Sequence, residues 1–397
     1  MTELLPEPAP LPVKRRPECP FDPPEELVKL RENYPVSRLA YPDGHIGWLV
    51  ANHALVRAAL ADPRLSSRYE FMHHPFARLD EVELPPVPPG YFITLDPPEH
   101  TRYRRLLTGK FTVRRMNLLT SRIEQITTDY LDAMERHGPP VDLLQAYAYP
   151  IPALTVCELL GVPDAELDLF QRLVSVSARD TPIDQVIAAL TAARDYIREL
   201  VAAKRANPTD DLLSDLTTTN LTQEELEGVA TLVLVAGLDS TANMISLGFL
   251  ALLSHPEQLA ALRADPGIAE SAVEELLRYL TVVHTLARAP LDDLEIGGHQ
   301  IKAGETIALA VNAANRDPAH FAEPDTLDLK RRSTGHMAFG HGIHQCLGQQ
   351  LARIEMRAAI RALVTRFPSL RLAVPLEELQ FRDGVMCGTN QLPVTWG

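Results

Sequence analysis

Phe339-Gly340-His341-Gly342-Ile343-His344-Gln345-Cys346-Leu347-Gly348 is the stretch that decides how this chain folds. It reads as a loop that holds one cysteine sulfur still in front of a large planar ligand. Gly340, Gly342 and Gly348 carry no Cβ, so the backbone can take tight or left-handed turns and a flat ligand can approach closely. The apolar, periodic run from Leu347 to Val364 follows as a helix, whose N-terminal amides and dipole favour a thiolate at Cys346 over a thiol. A thiolate so placed can ligate iron. Taken singly, each of the four cysteines, Cys19, Cys157, Cys346 and Cys387, reads as a small buried hydrophobe. The spacing Phe-Gly-x-Gly-x-(His/Arg)-x-Cys-x-Gly overrides that reading for Cys346. Average residue usage produces such a string in on the order of one chain in 100,000 of this length.

This string resembles the cysteine loop of the cytochrome P-450 family of haem-thiolate monooxygenases. The resemblance implies heme b (iron protoporphyrin IX) as cofactor, Cys346 as its axial iron ligand, Phe339 packed beside the sulfur, His344 on a haem propionate, and Gly340 and Gly348 at the cofactor surface. It also implies the fold, mainly α with small β-sheets: a triangular prism that encloses the haem, with a long central helix passing over it.

Composition sets the bounds. The 397 residues have no Gly/Ser-rich linker in their middle, so one domain over 17–397 is expected, with 1–16 as a disordered Pro-rich tail. An apolar fraction of 46% supplies ample material for a core around a cofactor. A formal charge of −14 argues against a nucleic-acid partner. The widely spaced cysteines form no CxxC pair or disulfide framework, which fits a reducing cytoplasm. The start of the chain lacks an apolar signal core or membrane anchor, similar to the soluble actinobacterial branch of the family.

Along the chain, a short helix is expected over Glu25 to Asn33 and a strand around His45 to Ala51, after the turn Tyr41-Pro42-Asp43-Gly44. Ser67 to Gly90 is a long loop without period. Amphipathic patterns predict helices over Arg122 to Glu135, Ala165 to Val176 and Ile183 to Arg205, the last two separated by Thr181-Pro182. Strands are expected over Leu294 to Ile301 and Thr306 to Asn312, and a strand pair within Leu370 to Trp396.

Asp96-Pro97-Pro98-Glu99 predicts a helix start with an acidic N-cap and a reciprocal Glu. On that helix His100 and Arg104 share one face and can donate to one anion. By resemblance they hold haem propionates. Thr222-Gln223-Glu224-Glu225 predicts the cap of a helix running to His255-Pro256, roughly 48 Å at 1.5 Å per residue. Asp239 breaks its apolar run too early for a membrane span. At its middle, Gly237 removes a side chain where the helix would cross a flat cofactor, and a hydroxyl bonding one turn back can open the helix. The family's acid and alcohol, which guide protons to iron-bound dioxygen, align with Asp239 and Ser240, beside Ala236 and Gly237. Serine replaces the usual threonine and loses its χ1 restriction. Thr241 is the neighbouring alcohol, about 100° around the helix.

Glu275 and Arg278 stand three apart on another helix and can pair. They resemble the family's Glu-x-x-Arg, with Arg331 as its structural partner. Arg288 resembles the third propionate donor. For His284 a hydrogen-bonded structural role outweighs substrate contact. His73 and His74 raise a metal question, yet with no partner cluster they read as solvated. The substrate pocket is expected to draw on Phe71, Met72, Phe76, Val233, Val283, Leu286, Met386 and Cys387.

The implied reaction uses dioxygen to hydroxylate or epoxidise a hydrophobic small molecule, a polyketide, macrolide, terpenoid or xenobiotic. Competing readings are oxidative coupling or ring closure without oxygen insertion, and a non-catalytic haem-based binding protein. No flavin or iron-sulfur motif is present, so electrons are expected from a ferredoxin and its ferredoxin reductase. The basic stretch Arg102, Arg105, Lys110, Arg114 and Arg115, with Arg353 and Arg357, is either the ferredoxin dock or a solvated charged face.

Overall fold

The apolar run that opens at Thr222 forms one continuous helix, Gln223–Ser254, against which other long helices pack. The computed structural model describes residues 5–16, 19–76, 87–167, 183–382 and 384–397. Their helices are α1 (Glu25–Asn33), α2 (His53–Ala61), α3 (Glu99–Thr108), α4 (Val113–His137), α5 (Pro150–Leu160) and α6 (Ile183–Ala206). Then come α7 (Leu212–Thr217), α8 (Gln223–Ser254), α9 (Pro256–Ala264), α10 (Ala269–Leu280), α11 (Val311–Ala314) and α12 (Gln349–Arg366). The strands are β1 (Val36–Ala40), β2 (Ile46–Val50), β3 (Leu65–Ser66), β4 (Val141–Asp142), β5 (Thr285–Pro290) and β6 (Leu294–Ile296). The remaining strands are β7 (His299–Ile301), β8 (Ile307–Ala310), β9 (Arg371–Leu372), β10 (Phe381–Arg382), β11 (Gly388–Thr389) and β12 (Pro393–Thr395).

The start of α8 is the reciprocal cap expected from its sequence. Thr222 Oγ1 accepts the Glu225 N–H at 3.2 Å, and Glu225 Oε2 accepts the Thr222 N–H at 2.8 Å. From Thr241 to Leu252 every residue is buried, as befits a helix apolar on all sides. It packs on α5, α6 and α12. By length and composition α8 could cross a membrane, but 67% of its most apolar window is buried inside the protein.

A five-stranded sheet in the order β1-β2-β8-β5-β3 stands beside the helices, antiparallel except where Trp48 of β2 runs parallel to Ile307 of β8. It positions β5 and therefore Arg288. A three-stranded sheet, β4-β12-β9, and two hairpins, β6-β7 and β10-β11, complete the β structure.

Several expectations need adjustment. Leu294 to Ile301 is a hairpin and not one strand, because Gly297 and Gly298 take φ values of 57° and 83° between β6 and β7. Thr306 to Asn312 is strand only to Ala310, then turns into α11. The helix expected from Arg122 starts nine residues earlier, after Thr112, whose hydroxyl caps the Arg115 N–H. Residues 5–16, expected in a disordered tail, lie in contact with the folded protein. The Ala9 carbonyl accepts the Ala40 N–H at 3.0 Å, and Leu11 is buried. Residues 1–4 of that tail, most of the Ala165 to Val176 helix, the Thr181-Pro182 break and 77–86 of the Ser67 to Gly90 loop lie outside the described residues.

Candidate active site

The Cys346 N–H donates to the Phe339 carbonyl at 2.9 Å and closes the loop in front of α12. Gly340 and Gly342 have φ values of 68° and 75°, where a side chain is strained. A Cβ on Gly342 would also lie 2.4 Å from the Leu60 carbonyl of α2. Gly348 departs from expectation. Its φ of −82° suits any residue, and nothing lies within 4 Å of where its Cβ would stand, so bare backbone faces open space there. Burial pushes the Cys346 thiol up, while the backbone amides of Gly348 and Gln349, with Arg104 and Arg353, favour the thiolate. The Arg353 guanidinium lies 4.6 Å from the Phe339 ring centroid and is itself held by Glu274 at 2.6 and 3.0 Å.

Around this loop the structure gathers a set of inward donors with no acid to satisfy them. His100 of α3 and His344 stand with ring centroids 4.2 Å apart. Both ring nitrogens of His100 and the Nε2 of His344 are buried without a hydrogen-bond partner. Arg104 donates to the Gln345 carbonyl and Arg288 to the Ala287 carbonyl. Neither guanidinium pairs with a carboxylate among the described residues. Burial lowers Arg288 to about 10 and His344 to about 3, the latter helped by His100, Arg288 and Arg104. Orphaned buried donors are costly unless a ligand answers them. A flat cofactor that carries two carboxylates and takes a sulfur ligand would answer this set. The residues present therefore fit a haem.

The helix start that presents His100 and Arg104 is built differently from the expected cap. Asp96 does not cap it. Its carboxylate accepts from Ser66 Oγ at 2.5 Å and the Ser67 N–H at 2.9 Å, and Glu99 pairs with Arg68 at 2.6 Å.

Beneath the loop, Glu275 and Arg278 form a fully buried two-pronged pair at 2.8 Å for both bonds. Arg331 Nε, Ser333 Oγ and the Asp328 N–H also reach the Glu275 carboxylate, at 3.1, 2.6 and 3.1 Å. Arg278 spends its other donors on the Asn315 and Pro324 carbonyls. Three separated residues named from the sequence thus meet at one carboxylate.

On α8, Val235 and Ala236 are exposed in mid-helix, and Asp239 and Ser240 are partly so. These four form an open stripe. Ser240 Oγ donates to the Ala236 carbonyl at 3.0 Å, one turn back, although the helix runs on unbroken. The bareness of Gly237 serves packing, because a Cβ there would lie 2.7 Å from Val156 of α5. Thr241 is not a second alcohol for the stripe. It is buried beside the carboxyl of Glu355 on α12, whose charged form it favours. Glu355 was not named from the sequence. Burial raises it to about 8, against the pull of Thr155 and Thr241. Also unforeseen is Arg382 of β10, which reaches Asp239 Oδ1 at 3.4 and 3.5 Å.

The expected pocket residues divide. Val283 and Met386 form a β-bridge, and both are partly exposed, as are Val233, Leu286, Met72 and Phe76. Phe71 is exposed. Phe76 packs edge-on against His284 at 5.6 Å. Cys387 is corrected: adjacent strand residues face opposite ways, and it is buried, with its sulfur accepting from Arg15. Val235 was missed, since nothing local marks which side of an apolar helix is open. His284 is a bonded structural histidine, buried and linked to Thr285 Oγ1 and the Gly384 carbonyl, and burial lowers it to about 4. His73 is packed and not merely solvated. It stacks on His45 at 3.8 Å, pairs with Asp43, and its N–H donates to Thr306 Oγ1. His74 lies edge-on to Tyr69. Among the described residues no group of His, Cys, Asp and Glu is placed to hold a free metal ion.

Most of the basic stretch is already neutralised. Arg102 pairs with Glu225, Arg114 with Asp210, Arg115 and Lys110 with Asp215, Arg353 with Glu274 and Arg357 with Glu270. Arg105 keeps its charge exposed.

Comparison with known proteins agrees with this geometry. The family model described as cytochrome P-450 matches residues 268–387. Cytochrome P-450 105C1 of a Streptomyces species is 47% identical over 95% of this chain and 96% of its own length. Pentalenic acid synthase of Streptomyces avermitilis is 45% identical over 95% of both chains. A crystal structure of CYP105P1 in complex with filipin I superposes with a TM-score of 0.91 at 41% identity, covering 98% of this chain and 99% of the other.

Proposed function

Because this chain belongs to the cytochrome P-450 family and is a haem-thiolate monooxygenase, we propose that it hydroxylates or epoxidises a hydrophobic secondary metabolite, such as a polyketide, macrolide or terpenoid, or a xenobiotic. The observation that carries this reading is the open stripe Val235, Ala236, Asp239 and Ser240 on α8. It offers an acid and an alcohol beside apolar surface. One relative is named for pentalenic acid and one solved neighbour holds filipin I, which supports an apolar natural product as substrate.

Cys346 would hold heme b, which when bound would supply the activation of dioxygen. His100, Arg104, Arg288 and His344 would hold its propionates. The partly exposed apolar residues Val283, Leu286 and Met386, with the exposed Phe71, would exclude water and orient the substrate. Asp239 would pass a proton from its carboxyl towards the Ser240 side and regain one from solvent. For that the Ser240 hydroxyl must turn from the Ala236 carbonyl.

Electrons would come from a separate ferredoxin and its NAD(P)H-dependent reductase. With most of the basic stretch paired internally, that association should weaken only modestly as salt rises. Among the described residues no cysteine forms a disulfide, which fits a cytoplasmic protein.

The test is to titrate the ferric protein with a panel of hydrophobic natural products and follow the haem absorption. A compound that gives a low-spin to high-spin shift is then turned over under isotope-labelled dioxygen. Label in the product upholds monooxygenation. Oxidised product without label supports oxidative coupling instead, and binding without oxidation by competent redox partners supports a binding protein.

A further inference from the structure

The acid on α8 is held from a distance of more than one hundred residues. Arg382 lies on β10, in register with Gly388 of β11. Its guanidinium donates to Asn243 Oδ1 and reaches Asp239 Oδ1 at 3.4 and 3.5 Å. Asn243 is fully buried, and its Nδ2 donates to the Asp239 backbone carbonyl at 2.6 Å. A guanidinium only donates, so Asn243, with Nδ2 turned to that carbonyl, presents its oxygen to Arg382. A Cβ on Gly388 would lie 2.0 Å from Asn243 Oδ1 and 2.7 Å from the guanidinium, so the hairpin fits against α8 only with bare backbone there. Asp239 is the one carboxylate that Arg382 meets in an ion pair among the described residues.

The same hairpin forms part of the pocket wall. Past Arg382, the Gly384 carbonyl bonds His284, Met386 bridges Val283, and the Cys387 N–H donates to the Val282 carbonyl at 2.9 Å. One short hairpin thus touches the apolar wall at its tip and the acid at its stem.

We propose that Arg382, aligned by Asn243, is a positioning residue for Asp239, and that it makes proton supply responsive to what presses on the Met386 wall. This rests on the reading of Asp239 and Ser240 as the proton route. The guanidinium engages Oδ1 alone and leaves Oδ2 free. The contact is long and the carboxylate 36% exposed, so it is weak enough to open and close. Asp239 can then turn between Arg382 and the Ser240 side, gaining protons from solvent at one end and releasing them at the other. Substrate against Met386 shifts the hairpin and biases that choice.

The experiment uses haem-loaded Asp239→Asn, Arg382→Gln, Arg382→Lys and the Asp239→Asn/Arg382→Gln double variant, with the first spin-shifting compound from the panel as the single substrate. Arg382→Gln and Asp239→Asn should each lower product formed per electron consumed by about tenfold, and the double variant should be no worse than Asp239→Asn alone. Arg382→Lys should recover most of the loss. Substrate affinity from the spin shift should change by less than about twofold, which a collapsed hairpin would not allow. Independently of turnover, the Arg382 Nε–H resonance of isotope-labelled protein, assigned by its loss in Arg382→Lys, should move in Asp239→Asn and on adding substrate. Full coupling in Arg382→Gln, multiplying losses in the double variant, or a resonance that ignores Asp239→Asn or substrate each overturns the proposal. If Asp239→Asn alone is silent, the proton route itself is wrong and the role of Arg382 falls with it.

Discussion

Thr241 lies buried beside the carboxyl of Glu355 and favours its charged form, while its neighbour Ser240 keeps its hydroxyl on the open stripe of the same helix. Two adjacent alcohols therefore serve different parts of the molecule. Ser240→Ala should divert electrons to peroxide and lower product per electron about tenfold or more. Thr241→Val should leave that ratio unchanged and lower stability by about 1–3 kcal/mol, since it strips a partner from a buried polar group. Peroxide yield and thermal unfolding of the two variants check both outcomes.

Glu355 ties stability to pH in an unusual direction. Burial raises this carboxyl from 4.5 to about 8, so between those values the folded state holds a proton that the unfolded chain has released. Its contribution is complete below about pH 4.5, falls as pH rises, and is lost above about pH 8, with a slope of at most about 1.4 kcal/mol per pH unit. Glu355→Gln removes the titration. The melting temperature of that variant relative to the native protein should rise on going from about pH 6 to about pH 8. An unchanged difference would show that Glu355 does not titrate there.

The Glu275 carboxylate behaves in the opposite sense. Burial disfavours its charge, but Arg278, Ser333 and the Asp328 N–H outweigh that and hold it below 4.5. Its contribution is present above about pH 4.5 and fades as pH falls further. Glu275→Ala leaves Arg278 buried without its partner and should cost about 3–5 kcal/mol. The brace holds Ser333, six residues before the Phe339 that opens the Cys346 loop, so haem release on mild heating should accompany the lower melting temperature.

Arg288 is buried and, among the described residues, spends its charge on no carboxylate, which fits a propionate partner. Arg288→Met should speed haem transfer to an apoprotein acceptor by about tenfold or more, as expected for losing one charge-assisted hydrogen bond. Arg105→Met, exposed on the same helix as His100, should leave the transfer rate unchanged.

What could be read from the sequence was whatever acts over a few residues. The glycines that bend the Cys346 loop, the Thr222/Glu225 cap and the spacing of His100 and Arg104 are local patterns. Each is found where its pattern put it. Contacts made across the fold left no such mark. Asp96 looked like a cap because the competing donors, Ser66 and Ser67, come about thirty residues earlier. That Gly237 also makes room for Val156 left no mark, because Val156 lies on another helix. Arg382 and Glu355 reach α8 from 143 and 114 residues further along, counted from Asp239 and Thr241. Alternation in a strand could have told Met386 from Cys387, had β10 and β11 been longer than two residues each.

The inward donors around the cysteine loop also set an order of events during synthesis. His100, Arg104, Arg288, His344 and Cys346 come together only in the finished fold, and the sulfur is the last of them to leave the ribosome. Until then the growing chain lacks the ligand for the iron of its pigment. Loading must follow translation of residue 346, and a chain awaiting haem carries several unanswered donors through its interior. Supply of haem thus sets how much of this protein reaches a durable state, and a shortage should appear first as a loss of protein and only then as a loss of colour.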